Sequence, residues 1–253
     1  PIKYHPRIAK VLLNAEKAKE IEAYYAKCAD EGSTKEDIAK SKKAMSSLEV
    51  ILGDSDRLDK LAVDIHDHYM SSVANDPDRV QKAMIVCANR KIAYDLLLKF
   101  KAHYPEWFEE RKTPESVTVS AEELKELKEM PTIAMVASVG SNDEAGMYNY
   151  LGGVKNDKRS EDLDAAFKQE HSNFRVVIVV DMWITGFDVE CLTYMYNDKP
   201  LQKHSLIQTI SRVNRKYAGK EYGLIIDYIG IRDQMMEARK MYGGDNSVAL
   251  TED

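Results

Sequence analysis

Three cysteines in 253 residues, Cys28, Cys87 and Cys191, are too few and too scattered for a disulfide framework, and no C-x-x-C pair offers a zinc site. They read as reduced thiols, which argues against a secreted protein. Long apolar runs are also missing. A bilayer span needs about 20 consecutive apolar residues, whereas the run Val176–Val180 stops at Asp181. No charged-then-apolar leader opens the chain. No G-x-x-x-x-G-K-[ST] loop occurs, so the turn that cradles the β- and γ-phosphates of a nucleotide is absent. A metal-binding acidic motif of the D-E-A-D kind, a D…(E/D)-x-K nuclease signature and a G-x-S-x-G serine elbow are equally missing. His66 and His68, two residues apart on a helix, point about 200° from one another and cannot share a metal ion. Positive charge is in deficit: 36 Lys and Arg against 42 Asp and Glu give −6, which excludes a polybasic binder but not a local basic face.

What is present is ordinary globular composition, 44% hydrophobic and 31% charged. At roughly 150 residues per domain the length suits one large domain or two small ones, and no internal repeat is found. The first residues read as helix, with apolar positions from Val11 to Cys28 at three- and four-residue steps. Further helices follow over about 34–52 and from Asp54 and Ser55, so residues 1–76 form a helical extension or connector. After the turn at Asn75–Pro77, short β-branched runs alternate with helical stretches through residue 242. The strands are placed at Ala83–Cys87, Thr132–Ala137, Phe174–Val180, Leu192–Tyr196 and Tyr222–Tyr228. Between them, helices start at Asn89, at the Ser120/Glu123 capping box (running to Met130), at Ser160 and around Leu206–Arg215, with a last one from Ile231. Residues 103–116 read only as a loop. Such alternation implies an α/β fold, a parallel sheet flanked by helices. Residues 243–253 read as a tail without a closing element, and with Pro1 in place of an initiator Met the chain is expected to be a piece of a longer protein.

The helix near His204 is the most informative segment. Leu206, Ile210 and Val213 form one i, i+4, i+7 stripe; Gln208, Arg212 and Arg215 form another, roughly 160° away. The helix can bury the first and present a glutamine and two guanidinium groups on the second. Guanidinium matches phosphate in charge and geometry, although an ordinary solvated amphipathic helix has the same pattern. Upstream, Phe174–Val180 runs into Thr185-Gly186-Phe187-Asp188. Loops at the carboxyl ends of parallel strands are where α/β sheets place ligands. Gly186 permits close approach and Asp188 supplies a carboxylate, but a turn with a capping Asp fits equally. Lys199, Lys203, Arg212, Arg215, Lys216 and Lys220 make a basic run with no intervening acid, either a phosphate-attracting patch or a solvated face.

In order and spacing, V-V-D-M-W-I-T-G-F-D-V from Val179, D-K-P-L-x-x-H-x-L-I-Q-T-I-S-R-V-N-R from Asp198 to Arg215, and G-L-I-I-D-Y from Gly223 resemble motifs V and VI of superfamily 2 helicase motors. Those motors usually carry Gly before the first Arg of motif VI. Ser211 stands there, and S-R-x-N-R is the form of the restriction (R) subunits of type I restriction-modification enzymes. K-A-M-I-V-C-A-N-R, Lys82 to Arg90, is similar to the motif IV strand. The resemblance covers roughly residues 55–242, and its specific part residues 179–227.

The resemblance implies that residues 77–242 are the second RecA-like lobe of an ATP-dependent translocase of double-stranded DNA. Arg212 and Arg215 would act as arginine fingers, with Gly186, Asp188 and Gln208 lining the ATP cleft. Arg90, Ser138 and Thr185 are candidates for contact with the DNA backbone or for interlobe coupling. It further implies ATP and Mg²⁺ as cofactors of the complete enzyme, none held tightly by this chain alone. The implied partners are double-stranded DNA, a first RecA-like lobe and nuclease domain in the same full-length chain, and the modification and specificity subunits, in the cytoplasm and without a membrane. On this reading the complete protein belongs to an endonuclease, and the isolated chain neither hydrolyses ATP efficiently nor cuts DNA. The alternatives are a lobe of another superfamily 2 translocase or remodeller, and a non-catalytic interaction module of the same fold.

Overall fold

The computed structural model describes residues 2–7, 11, 19–21, 23, 35–183, 188–201, 203–231 and 250–252. Its centre is a parallel sheet of seven strands: β1 (Ile2–Pro6), β2 (Lys82–Cys87), β3 (Ile133–Val136), β4 (Val176–Val179), β5 (Leu192–Asp198), β6 (Gly223–Asp227) and β7 (Leu250–Glu252), in the spatial order β3-β4-β2-β5-β6-β1-β7. Strands β2 to β6 are buried along their whole length. That is why the middles of these strands read as apolar runs rather than alternating ones, with polar residues such as Lys82, Asn197, Asp198 and Asp227 toward the strand ends.

The helices are α1 (Lys35–Leu52), α2 (Ser55–Asn75), α3 (Arg90–His103), α4 (Ala121–Glu126), α5 (Ala145–Tyr150), α6 (Asn156–Lys168) and α7 (Lys203–Val213). Right-handed crossovers fix their sides. The step from β2 to β3 runs one way across the sheet, and those from β3 to β4 and β5 to β6 run the other, so α3 covers one face and α6 and α7 the opposite one. Helix α2 packs its Leu58, Leu61, Ile65 and Tyr69 stripe in the core and lies on α3. This is the parallel, helix-flanked arrangement implied for a RecA-like lobe. No helix of the described residues is long and apolar enough to cross a membrane.

The front of the chain corrects the all-helical expectation. Residues 2–6 form a strand inside the sheet, paired with β6 from Ile2↔Gly223 to Pro6↔Asp227. Ile2 and Tyr4 point inward, the Tyr4 hydroxyl donates to the Asp227 carboxylate at 2.5 Å, and Pro6, lacking an N–H, suits a strand end better than a helix interior. Five residues of alternation are too few to outweigh the helical period that follows. Most of that period, and the helix expected from Ile231, lies outside the described residues. The tail also departs from expectation, because Leu250–Glu252 pairs with β1. Residues 103–116 contain a single 3₁₀ turn, Pro105–Phe108, that buries Trp107, and Arg111 bridges Met130. Helix α4 therefore ends at Glu126, short of Met130.

Candidate functional site

Two groups of the expected residues occupy different edges of the sheet. The first lies at the carboxyl ends of β2 and β3. The Asn89 side chain caps α3 by accepting from the Ile92 N–H at 2.9 Å, which sets Arg90 on the first turn, facing the loop after β3. Arg90 Nη1 donates to the Ser138 carbonyl at 2.9 Å and to Asp143 Oδ2 at 3.0 Å, while Nη2 lies 2.9 Å from Asp143 Oδ1. Asp143 also accepts from the Gly140 N–H at 2.7 Å. A Cβ on Gly140 would lie 2.0 Å from Arg90 Nη2, so only glycine lets the guanidinium fit against this loop. Arg90 and Ser138 are thus brought together as expected, but through the serine's carbonyl, leaving its side chain exposed.

The second group lies along the amino edge, at β5 and β6. Helix α7 buries Leu206, Thr209, Ile210 and Val213 against β5 and β6. Its end meets the start of β6 so closely that a Cβ on Gly223 would stand 2.1 Å from the Val213 carbonyl oxygen. Gln208 and Arg212 are half-buried on the helix, and the Ser211 hydroxyl donates back to the Gln208 carbonyl at 2.7 Å. The expected three-residue stripe is interrupted: α7 stops at Val213, so Arg215 belongs to the segment that follows. Arg215 Nε meets Asp188 Oδ1 at 3.1 Å, with the two side chains 48% and 57% exposed.

The neighbours of Arg215 locate it. Lys220 Nζ donates to the carbonyls of Glu190 and Leu192 at 3.2 and 2.6 Å, Arg79 reaches the Gly219 carbonyl at 3.2 Å, and the Tyr217 hydroxyl binds the Glu170 carboxylate. Each of these partners precedes or opens a strand. Asp188 therefore stands beside Arg215 toward the amino edge, not at the carboxyl end of β4 where its loop begins. The cause is the connection from β4 to β5, which must return across the sheet in about a dozen residues. Thr185 and Gly186, within that connection, lie outside the described residues.

Part of the basic run is already engaged. Burial pushes Lys220 down to about 8, and Lys199 Nζ binds the Val180 carbonyl at 3.1 Å and Asp181 at 2.6 Å. His66 stacks on Tyr104, and His68 bonds the Tyr196 hydroxyl at 2.8 Å. Two residues that sequence reasoning missed matter here. Asp143 and Gly140 hold Arg90, and the only hint was a Gly-Ser-Asn-Asp turn directly after an apolar run.

Residues 106–230 match the family described as type I restriction enzyme subunit R domain 3. The chain is 34% identical over 246 residues to the "Putative type I restriction enzyme MjaIXP endonuclease subunit" of Methanocaldococcus jannaschii, covering 97% of this chain and 20% of that protein. It is 35% identical over 199 residues to the type I restriction enzyme HindI endonuclease subunit of Haemophilus influenzae, covering 77% and 17%. A solved structure titled as a fragment of a "putative HsdR subunit of a type I restriction enzyme" from Vibrio vulnificus YJ016 is similar at 13% identity, over 100% of this chain and 36% of that one, with a TM-score of 0.46. The chain spans about a fifth of the length of these curated relatives. It belongs to the R-subunit family of type I restriction enzymes.

Proposed function

We propose that this chain is the second motor lobe of an ATP-dependent DNA translocase within a type I restriction endonuclease, and that Arg215 and Arg212 supply positive charge to a triphosphate bound by another part of the complete protein. The observation that carries the reading is the state of Arg215. Among the described residues its guanidinium has one ion pair, at the rim, with an exposed carboxylate. A surface pair of this kind is worth about 0–1 kcal/mol, so a triphosphate can displace Asp188 from Arg215 at small cost. Charge delivered this way stabilises the γ-phosphoryl group as it transfers. Gln208 and Asp188 would complete that side of the cleft with Gly186, and ATP with Mg²⁺ would be held by the portion that supplies the phosphate loop this chain lacks. The other edge suits DNA. Arg90, oriented by Asp143, stands beside Ser138 there, with Thr185 as the third candidate for backbone contact. Separate edges let ATP and DNA engage one lobe together.

The test is ATP turnover by the complete R subunit in its assembled enzyme. Arg215→Ala should lower turnover on the order of a hundredfold or more, and Arg215→Lys should restore only part of it. Unchanged turnover would sink the proposal and favour a non-catalytic module.

A further inference from the structure

A cavity of about 450 Å³ opens at the amino edge of the sheet near β2, β3 and β4, among Tyr69, Gln81, Trp107, Thr132, Asn173 and Arg175. It lies outside both groups described above. Its volume falls in the range of small-molecule sites, and its walls are fixed by their own bonds. The Tyr69 hydroxyl donates to the Gln81 carbonyl at 2.7 Å, Gln81 Nε2 to the Asp76 carbonyl at 2.9 Å, and Asn173 Nδ2 to the Met130 carbonyl at 2.8 Å. The cavity is therefore preformed rather than opened by side-chain rotation.

Arg175 sets its chemistry. The residue is 6% exposed, and among the described residues its side chain makes one hydrogen bond, from Nη1 to the Glu170 carbonyl at 3.1 Å. Among the described residues no carboxylate is within ion-pair distance of it. The Glu170 carboxylate is turned to the Tyr217 hydroxyl, with His171 Nε2 3.7 Å away. A second buried cation crowds the same edge: Lys82 Nζ donates to the Phe167 and Gln169 carbonyls at 2.5 and 2.7 Å. Two cations share the carboxyl end of α6, whose partial negative charge offsets them only in part. Burial, with the neighbouring Arg175 charge adding to it, pushes Lys82 down to about 7, and burial lowers Arg175 as well. A guanidinium with several N–H groups beside an open space, and no carboxylate of the described residues paired with it although Asp78 also lines the cavity, favours an incoming anion.

We propose that this cavity binds a small molecule bearing an oxyanion, phosphate or carboxylate, with Arg175 as the anchor for that group. Trp107 lines the cavity and reports on it. The sequence has two tryptophans, so Trp183→Phe in the full 253-residue chain leaves Trp107 as the sole indole. Inorganic phosphate, adenosine monophosphate and citrate are then titrated in turn. A saturable change in Trp107 emission in the millimolar range is expected. A response to the phosphates alone identifies a phosphate ligand, and a response to citrate alone identifies a carboxylate ligand. Arg175→Gln should weaken the response at least tenfold. Because Arg175 also ties down the Glu170 carbonyl, a second variant, Thr118→Glu on the exposed rim, places a competing carboxylate at the mouth without disturbing that bond and should abolish the response. No saturable response to any probe at tens of millimolar, or a response that survives both variants, overturns the proposal.

Discussion

Arg57 with Asp198 and Arg215 with Asp188 are the same chemical pair in opposite settings. The first is bidentate, Nη2 to Oδ1 at 2.5 Å and Nη1 to Oδ2 at 3.1 Å, with side chains 2% and 0% exposed. It ties the start of α2 to the end of β5, and Nη1 also caps the Leu52 carbonyl at 3.2 Å. The second touches once, at the rim. Two further pairs grade between them. Arg7 grips Asp64 at 2.7 and 2.5 Å while part-buried, and Arg90 grips a buried Asp143 from a more open position. A guanidinium–carboxylate contact thus reveals its role through its surroundings. Where both ends are dry the pair belongs to the fold. Where both are wet the arginine is available to another anion.

The largest effect should come from the dry pair. Arg57→Ala leaves Asp198 buried without its ion-pair partner, a loss of about 3–5 kcal/mol, to be read as a lower midpoint in urea unfolding. If the loss were under about 1 kcal/mol, the grading by burial would be broken. Next comes the region of Arg7 and Asp64, through pH. Burial, then the nearby positive Arg7, lowers His68 to about 4 from an ordinary 6.5. Between those values the unfolded chain takes up a proton that the folded chain refuses, so stability rises with pH across this window and is lost as pH falls from 6.5 to 4. His68→Gln should flatten that limb of the stability curve, whereas Arg215→Ala should leave its slope unchanged. A slope that His68→Gln did not alter would assign acid sensitivity elsewhere.

The third effect tests the intermediate pair. In Gly140→Ala the new methyl would overlap the Arg90 guanidinium, which is the movable end of a long side chain and would swing outward. Asp143 would keep the Gly140 N–H but lose the arginine, at about 1–2 kcal/mol. If Arg90 meets DNA as proposed, Arg90→Ala, which removes the charge itself, should weaken DNA binding by the complete enzyme, with a shallower dependence on salt. Unchanged stability in Gly140→Ala would show that the loop accommodates the methyl freely and that Gly140 does not hold Arg90.

Most of the sheet was legible because β2 to β6 are covered on both faces and declare themselves as apolar runs. Strand β1 was not, since five residues with two inward side chains carry little signal beside a helical period. The stripe of Leu206, Ile210 and Val213 was readable for the same reason as the strands: burial selects it. Arg215 was misassigned to the helix because i, i+7 spacing says nothing about where a helix stops, and here α7 ends where Val213 meets Gly223. The position of Asp188 was equally hidden, because the path of a connection without periodicity is set by the strand ends it must join. Asp143 was missed because a carboxylate in a polar turn looks the same whether it faces water or a guanidinium.

The smallest stability effect should accompany the largest functional one. Arg215→Ala removes one exposed contact and should change unfolding free energy by less than about 0.5 kcal/mol, within the scatter of a denaturant titration. Asp188→Asn should match it, since neither partner is left buried without the other. The same Arg215 substitution in the complete enzyme is the one proposed to cost about a hundredfold or more in ATP turnover. These two numbers are tied by a single physical cause. An arginine committed to its own fold would destabilise on removal and, being neutralised by its partner, would have little field to offer a phosphate. Measuring both on one variant therefore separates the roles. A stability loss approaching that of Arg57→Ala would make Arg215 a structural residue, whereas a silent unfolding curve with collapsed turnover would place its energy in the ligand complex.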